Sequence, residues 1–496
     1  MYPRDALATY AVSRRASLIC IFGALLAAVA NGQQITLSPA CDLTASQGRQ
    51  EVDAQCGTLS VPLDRSDPDG ETIELFVAVV EALTERPAPD PLVVIAGGPG
   101  EAATRFFVTA EVAFRRILRD RAVVLVDQRG TGRSAPLDCG EAVDGPFLSG
   151  ALDPDALIDA GVACLGSLDH DPRFFTTSAA VADLEQVRIA LGYDEVNLYG
   201  ISYGTRVAQH YLRRFPARTR SVILDGVVPP GLALGPDVAL SSQAALDALF
   251  GRCEADANCS DEFPDLRRSF EAVLERLRDA PAALSFEHPR TGETVDIVVD
   301  RMVVAGVVRL LVYSPQTASL LPVLIDAAHA GDYRGFATQA LLVREAMEEL
   351  SVGLNYAVVC TEDMPYAHPL DLDEQAETYL GTAFVEITAA VCEHWPQGQM
   401  DDDLRNPLAS DKPVLILSGE LDPITPPAYA DQAASGLANA VQVVGRGQGH
   451  GMLMVGCVPR LMAKFVETAE PGSLDLDCVE RIRPFPLFTS RMGPAP

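Results

Sequence analysis

The stretch Leu198–Ala208, LYGISYGTRVA, sets Gly200, Ser202 and Gly204 in alternation, after an apolar run and before a helical pattern. Two structures satisfy such a junction. One is a plain tight turn that happens to contain a serine. The other is a strained strand-to-helix turn that lifts the serine hydroxyl above a sheet, with glycines where no larger side chain fits. The motif alone does not choose between them; the flanking chain does.

On either side of the motif, EVNLYG (195–200) reads as a strand and YGTRVAQHYLRRF (203–215) as a helix. Upstream, Leu92 to Ala96 is a buried strand broken abruptly by glycines in AGGPG, and Ala122 to Val126 repeats the form before DQRGTGRS. Residues 178–191, behind Ser and Thr caps, carry apolar side chains near a 3.6-residue period. SVILDG (221–226) is a further strand. Strands alternating with helices imply crossover units, hence an α/β fold with a mostly parallel sheet flanked by helices. Ahead of this region, GTLSVPL (57–63) and TIELFVAVVEA (72–82) suggest an antiparallel hairpin around an Asp-Pro-Asp-Gly turn, preceded by a short polar stretch. The alternation lapses after Gly226, and DLRRSFEAVLERLRDA and QALLVREAMEEL are helical in pattern. Strands resume at PVLILSG (413–419) and AVQVVG (440–445), with helices near 427–436 and 458–468 and an irregular tail. The expected organisation is a first part of the core at 31–226, a mainly helical cap inserted at 227–405, and a second part of the core at 406–496.

Composition narrows the class. The chain has 496 residues, 48% of them hydrophobic and 21% charged, which describes a globular protein. Its net charge of −30 argues against nucleic-acid partners, because phosphates would be repelled. Arg14 and Arg15 precede an apolar run from Ala16 to Ala30 that ends Ala-Val-Ala, the form of a signal peptide over residues 1–30. The run is short for a bilayer span, so no stable membrane anchor is expected once it is removed. SRRASL is close to a twin-arginine signal, with Ser17 where that signal favours an aromatic. Removing the segment, and Cys20 with it, leaves ten cysteines, an even number that fits disulfides in an oxidising compartment. Near-neighbour pairing would join Cys41 to Cys56, Cys139 to Cys164, Cys253 to Cys259, Cys360 to Cys392 and Cys457 to Cys478. The closely spaced Cys clusters of a zinc site are missing from the sequence, and neither metal nor cofactor is expected. The protein is thus expected to be exported, to a periplasm or out of the cell.

A serine hydroxyl is a poor nucleophile until a base takes its proton, and the base is oriented in turn by a carboxylate. On sheets of this kind the chain order is serine, acid, histidine. Of seven histidines, His170 precedes Ser202, His210 lies in the helix leaving the turn, and four others fall in or near the insertion. His450 alone follows the final strand, in GRGQGHGM. Asp422 stands just beyond the preceding strand, in SGELDPITP. Both occupy the carboxyl edge of the sheet, where ligands bind in open α/β folds. Glu420 is the lesser alternative acid. A developing oxyanion would be met by the amides of Tyr203, the residue after the serine, and of Gly98 in AGGPG, with Gly97 second. Gly130 and Gly132 in DQRGTGRS read as turn residues rather than a phosphate loop, and Arg129 and Arg133 as ion-pair formers.

Taken together, GGPG, DQRGTGRS, GISYGTRVA and SGELDPITP…GHG resemble the proline iminopeptidase and tripeptidyl aminopeptidase group of α/β-hydrolase peptidases. The likeness covers roughly residues 41–226 and 405–480, and the Cys457…Cys478 segment is similar to the secreted tripeptidyl-aminopeptidase branch. Ala96 stands where typical proline iminopeptidases have histidine, Tyr203 stands where tryptophan is common, and Trp395 is the single tryptophan. These departures favour the tripeptidyl-type branch. The resemblance implies a metal-free serine exopeptidase with a helical cap, acting on peptide substrates with a free N-terminus. Such an enzyme needs a carboxylate for the substrate's α-amine. Glu362 and Asp363, in VVCTEDMPY, are the candidates where the cap returns to the core, and Glu101 beside AGGPG is another. Two other readings remain open: a carboxylesterase or lipase-like enzyme with the same three residues, and a non-catalytic binding protein on the same scaffold.

Overall fold

The computed structural model describes residues 34–44, 50–140, 153–347, 349–367 and 372–495; the expected signal segment lies outside them. Among these residues nine strands form one sheet in the order β1-β2-β3-β5-β4-β6-β7-β10-β11. The strands are β1 Ser38–Thr44, β2 Glu51–Pro62, β3 Thr72–Val80, β4 Leu92–Ile95, β5 Val123–Val126, β6 Val196–Ile201, β7 Thr219–Asp225, β8 Ala282–Glu287, β9 Thr294–Val299, β10 Val414–Gly419 and β11 Ala440–Gly445. From β1 to β5 neighbours run antiparallel, and from β5 to β11 they run parallel.

The parallel strands are apolar throughout because both faces are covered. In β4, Leu92 and Val94 enter one buried cluster while Val93 and Ile95 enter the other, the period-two alternation of a strand between two helical layers. Phe107 and Phe114 of the helix Ala103–Phe114 pack on the first side, and Val207 and Tyr211 of the helix Tyr203–Arg214 on the second. The sheet begins earlier than its sequence suggests: Ser38–Thr44 is a strand rather than a polar lead, and β2 starts at Glu51.

Between β7 and β10 the chain leaves the sheet. It forms helices around their own apolar cluster, including Leu246, Phe250, Phe270, Val304, Val308 and Phe336. It is not purely helical, for β8 and β9 make an antiparallel pair. The five cysteine pairs expected from spacing, 41–56, 139–164, 253–259, 360–392 and 457–478, all lie at disulfide-bonding distance. Among the described residues no helix is long and apolar enough to cross a membrane.

Candidate functional site

Ser202 sits at the carboxyl end of β6 with φ 53° and ψ −125°, a backbone region that a side-chain-bearing residue enters only under tertiary constraint. Three contacts supply that constraint. The Ser202 amide donates to the Asp225 carbonyl at 2.9 Å, and the Thr205 amide and hydroxyl donate to the Ser202 carbonyl at 2.9 and 2.6 Å. The flanking glycines are needed for space. A Cβ on Gly200 would lie 2.4 Å from the Gly204 carbonyl oxygen, and one on Gly204 would lie 2.5 Å from the carbonyl oxygens of both Ile95 and Ala96. The turn is therefore wedged against the end of β4, leaving Ser202 atop the helix Tyr203–Arg214. That helix directs its unpaired first amides and positive dipole end at the same place.

His450 and Asp422 meet from separate loops. The imidazole Nδ1 lies 2.8 and 3.0 Å from the Asp422 carboxylate oxygens. Asp422 is buried and also accepts from the amides of Ile424 at 2.9 Å and Thr425 at 2.8 Å, and from the Thr425 hydroxyl at 2.8 Å. Burial alone would raise its pKa, but His450 and these donors hold the carboxyl below the usual carboxylate range. Burial would lower the imidazole pKa, and the Asp422 charge more than offsets this, raising it above the ordinary histidine value. A pair so arranged fixes one imidazole tautomer and leaves Nε2 free for proton transfer. Glu420 plays no part in it, since its carboxylate accepts from the Gly447 amide at 2.7 Å.

Asp225, which sequence reasoning passed over, ties the two halves together. Its carbonyl holds Ser202, while its buried carboxylate accepts from the amides of Met452 at 2.7 Å and Leu453 at 2.9 Å, just past His450. Tyr199 donates its hydroxyl to the same carboxylate at 2.9 Å. Burial pushes the Asp225 pKa up to about 6 despite these donors. Gly226 follows, and a Cβ there would lie 3.0 Å from the His450 ring. The insertion completes the clamp: the His450 amide donates to the Tyr313 carbonyl at 2.7 Å, and the two rings meet edge to face at 5.3 Å. The signal in the sequence was only an Asp-Gly after a strand, which reads equally well as a turn.

The loop after β4 lies against the serine. A Cβ on Gly97 would come within 3.1 Å of the Ser202 Cβ. The Glu101 amide lies 3.4 Å from the Gly97 carbonyl oxygen, while Gly98 adopts φ 103°. The insertion fastens this loop too, through Ser351 N–H to the Gly100 carbonyl at 3.0 Å and the Asn355 amide to the Pro99 carbonyl at 3.1 Å.

Glu362 and Asp363 are placed differently from expectation. Both are fully buried. Arg206, one turn after Ser202, reaches Asp363 at 2.7 and 3.2 Å and Glu362 at 3.5 Å. Glu362 also accepts from the Thr177 amide and hydroxyl, both at 2.7 Å, and Asp363 from the Leu234 amide at 2.7 Å. An incoming ammonium would have to displace a buried guanidinium, so the expected amine-binding role for these two carboxylates is corrected. They anchor the insertion to the helix behind Ser202. The Thr177 hydroxyl extends the network to the Tyr203 phenol at 2.7 Å. Arg129 is structural, bonding Asp183 at 2.6 and 2.8 Å in full burial. Arg133 stacks its guanidinium 3.9 Å from the Phe76 ring centre and, among the described residues, forms no close ion pair. Among the described residues, His210, Asp401 and Asp403 are grouped closely enough to hold a metal ion. There, however, His210 Nε2 already pairs with Asp401 at 2.8 Å and Arg214 lies 3.6 Å from the same carboxylate.

Two family models match the chain: the α/β-hydrolase fold over residues 90–280, and TAP-like protein over residues 377–478. With the sheet order and the serine turn, they define the α/β-hydrolase fold. More narrowly, the C-terminal part of the chain is similar to the TAP-like proteins. Serine protease Hip1 of Mycobacterium tuberculosis (strain ATCC 25618 / H37Rv) is 30% identical over 220 residues, 40% of either chain. Tripeptidyl aminopeptidase of Streptomyces coelicolor (strain ATCC BAA-471 / A3(2) / M145) is 28% identical over 243 residues, 43% of this chain and 45% of that one. Carboxylesterase B of Mycobacterium tuberculosis (strain CDC 1551 / Oshkosh) is 34% identical over 229 residues, 42% and 43% of the two chains. The chain thus spans under half the length of these curated relatives.

Proposed function

We propose that the protein is an exported serine peptidase that removes single residues or short peptides from substrates with a free N-terminus. One observation carries the reading: a serine strained to φ 53° at a strand-to-helix turn, joined through Asp225 and Gly226 to His450, which is paired with the buried Asp422. Ser202 attacks the scissile carbonyl, and His450 takes its proton and later delivers it to the leaving amine. Asp422 holds the tautomer and stabilises the imidazolium. The amides of Tyr203 and Gly98 receive the oxyanion, with Gly97 second. The names of the Hip1 and tripeptidyl aminopeptidase relatives favour a peptide bond as the target. Five cysteine pairs support export.

The name of the carboxylesterase B relative supports a second reading, an esterase built on the same three residues. Hydrolysis of one substrate panel decides between them. The panel pairs free and acetylated peptide amides of one, two and three residues with a short-chain acyl ester, and uses Ser202→Ala as the blank. Cleavage confined to free amines establishes the aminopeptidase, and the preferred length names its class. Ester turnover with indifference to acetylation overturns it.

A further inference from the structure

Resting on the aminopeptidase reading above, we infer that Glu101 is the carboxylate that receives the substrate's α-ammonium group. With Glu362 and Asp363 committed to Arg206, the free amine needs another acceptor, and the loop beside the serine provides one. Glu101 closes the turn that begins at Gly97, its amide lying 3.4 Å from the Gly97 carbonyl oxygen. Gly97 itself is packed on the Ser202 Cβ. Glu101 thus belongs to the loop that touches the candidate nucleophile, and it is only partly exposed. An extended peptide advances about 3.3–3.6 Å per residue, so an acyl segment seated at Ser202 brings its amine within reach of this loop.

The surroundings suit an acceptor awaiting a cation. Arg105, one turn further along the chain, is drawn off by Glu349 of the insertion, donating to its carbonyl and lying 3.9 Å from its carboxylate. The other charged or titratable groups that feel Glu101 are His450 from the loop after β11 and Tyr199 from β6. Burial pushes the Glu101 pKa up to about 7, with Arg105, His450 and the Gly97 amide pulling down and Glu349 pushing up. An ammonium arriving beside such a carboxylate makes a charge-assisted hydrogen bond in a partly desolvated place. A neutral or acetylated N-terminus gains nothing there and leaves the carboxylate unpaired. The loop beside Ser202 would thus select by charge next to the place where the bond is broken.

The test compares kcat/KM for a free and an acetylated peptide amide of the same sequence, in the wild type and in Glu101→Gln. Glu101→Asp serves as the charge-retaining variant, and thermal melts report folding. The expected result is a wild-type preference for the free amine that falls about 10- to 100-fold in Glu101→Gln, the worth of one charge-assisted hydrogen bond. Glu101→Asp recovers part of it. The wild-type ratio rises as pH passes through 7 and declines once the substrate amine loses its proton above about 8; the variant lacks the first rise. Because His450 titrates with both substrates, its effect cancels in the ratio. A wild type that discriminates while Glu101→Gln keeps the full ratio overturns the assignment and leaves the aminopeptidase reading standing. If Glu101→Gln does not fold, Glu101→Ala takes its place: it should lose both the free-amine preference and the pH 7 rise, and an unchanged ratio and profile overturn the assignment. A wild type indifferent to acetylation overturns both readings.

Discussion

Replacing Gly204 by alanine adds one methyl group at the point where the serine turn touches the sheet. That methyl would sit 2.5 Å from the carbonyl oxygens of Ile95 and Ala96, roughly 1 Å inside an ordinary nonbonded contact of about 3.5 Å. The Ile95 oxygen has little room to swing aside, because β4 is paired to β5 on one side and, through Ile95 itself, to β6 on the other. The strand end must bend or the helix must slide, and the strand end leads directly into Gly97 and Gly98. Overpacking of this kind costs about 1–3 kcal/mol. A displacement near 1 Å between the serine and the facing amides costs about 100-fold in rate. Gly251 supplies the contrast. It is exposed within the helix Val238–Ala255, and a Cβ there meets nothing within 4 Å, so Gly251→Ala stabilises by about 0.5–1 kcal/mol. Thermal melts and kcat/KM on the preferred substrate, measured for both variants, give opposite signs if this reasoning holds. A Gly204→Ala protein that melts at or above the wild type with full activity refutes it.

Asp225→Ala strips the acceptor from two amides and one phenol in a buried place, and should lower unfolding stability in urea by roughly 3–6 kcal/mol. Asp225→Asn tests the charge. The folded pKa of about 6 lies above the 3.8 of an ordinary aspartate, so this group's contribution is fully present below pH 3.8 and is lost as pH rises through 6, a difference of about 3 kcal/mol. Acidification from pH 7 to 5 should therefore stabilise the wild type relative to Asp225→Asn, and parallel melting curves would contradict that. Arg206→Met leaves Glu362 and Asp363 buried without their cation and should cost about 3–5 kcal/mol by denaturant titration; a loss below 1 kcal/mol would show that the cluster is solvated. Thr425→Val removes the hydroxyl donor to Asp422, raises that carboxyl's pKa and should move the acid limb of the kcat/KM profile to higher pH. An unmoved limb rules out this support.

The parts most legible from sequence were those with a single physical explanation. Runs such as Leu92–Ile95 and Val414–Gly419 are apolar on both faces, which only a strand covered on both sides requires, and they carried the parallel half of the sheet. The edge strand Ser38–Thr44 and the start of β2 alternate polar residues against solvent and resemble a loop. Within the insertion, β8 only half-buries every second residue, too faint a signal to stand out among amphipathic helices. The positions of Asp422 and His450 followed from chain order and strand ends, and the structure brings them within 2.8 Å. Glu362 and Asp363 went astray for a different reason: a carboxylate in the sequence carries no mark of burial, and the guanidinium that claims both sits more than 150 residues earlier, at Arg206. Asp225 escaped notice likewise, since its partners Met452 and Leu453 are more than 200 residues away in the chain.

The central claim is that Ser202 is a nucleophile driven by His450. The direct measurement is intact-mass and peptide mapping after exposure to diisopropyl fluorophosphate, in which the serine oxygen attacks phosphorus and expels fluoride. One adduct per chain, located on Ser202, lost in Ser202→Ala and greatly slowed in His450→Ala, is the predicted result. Hydrolysis that survives Ser202→Ala, or inactivation with no adduct on Ser202, would contradict the account.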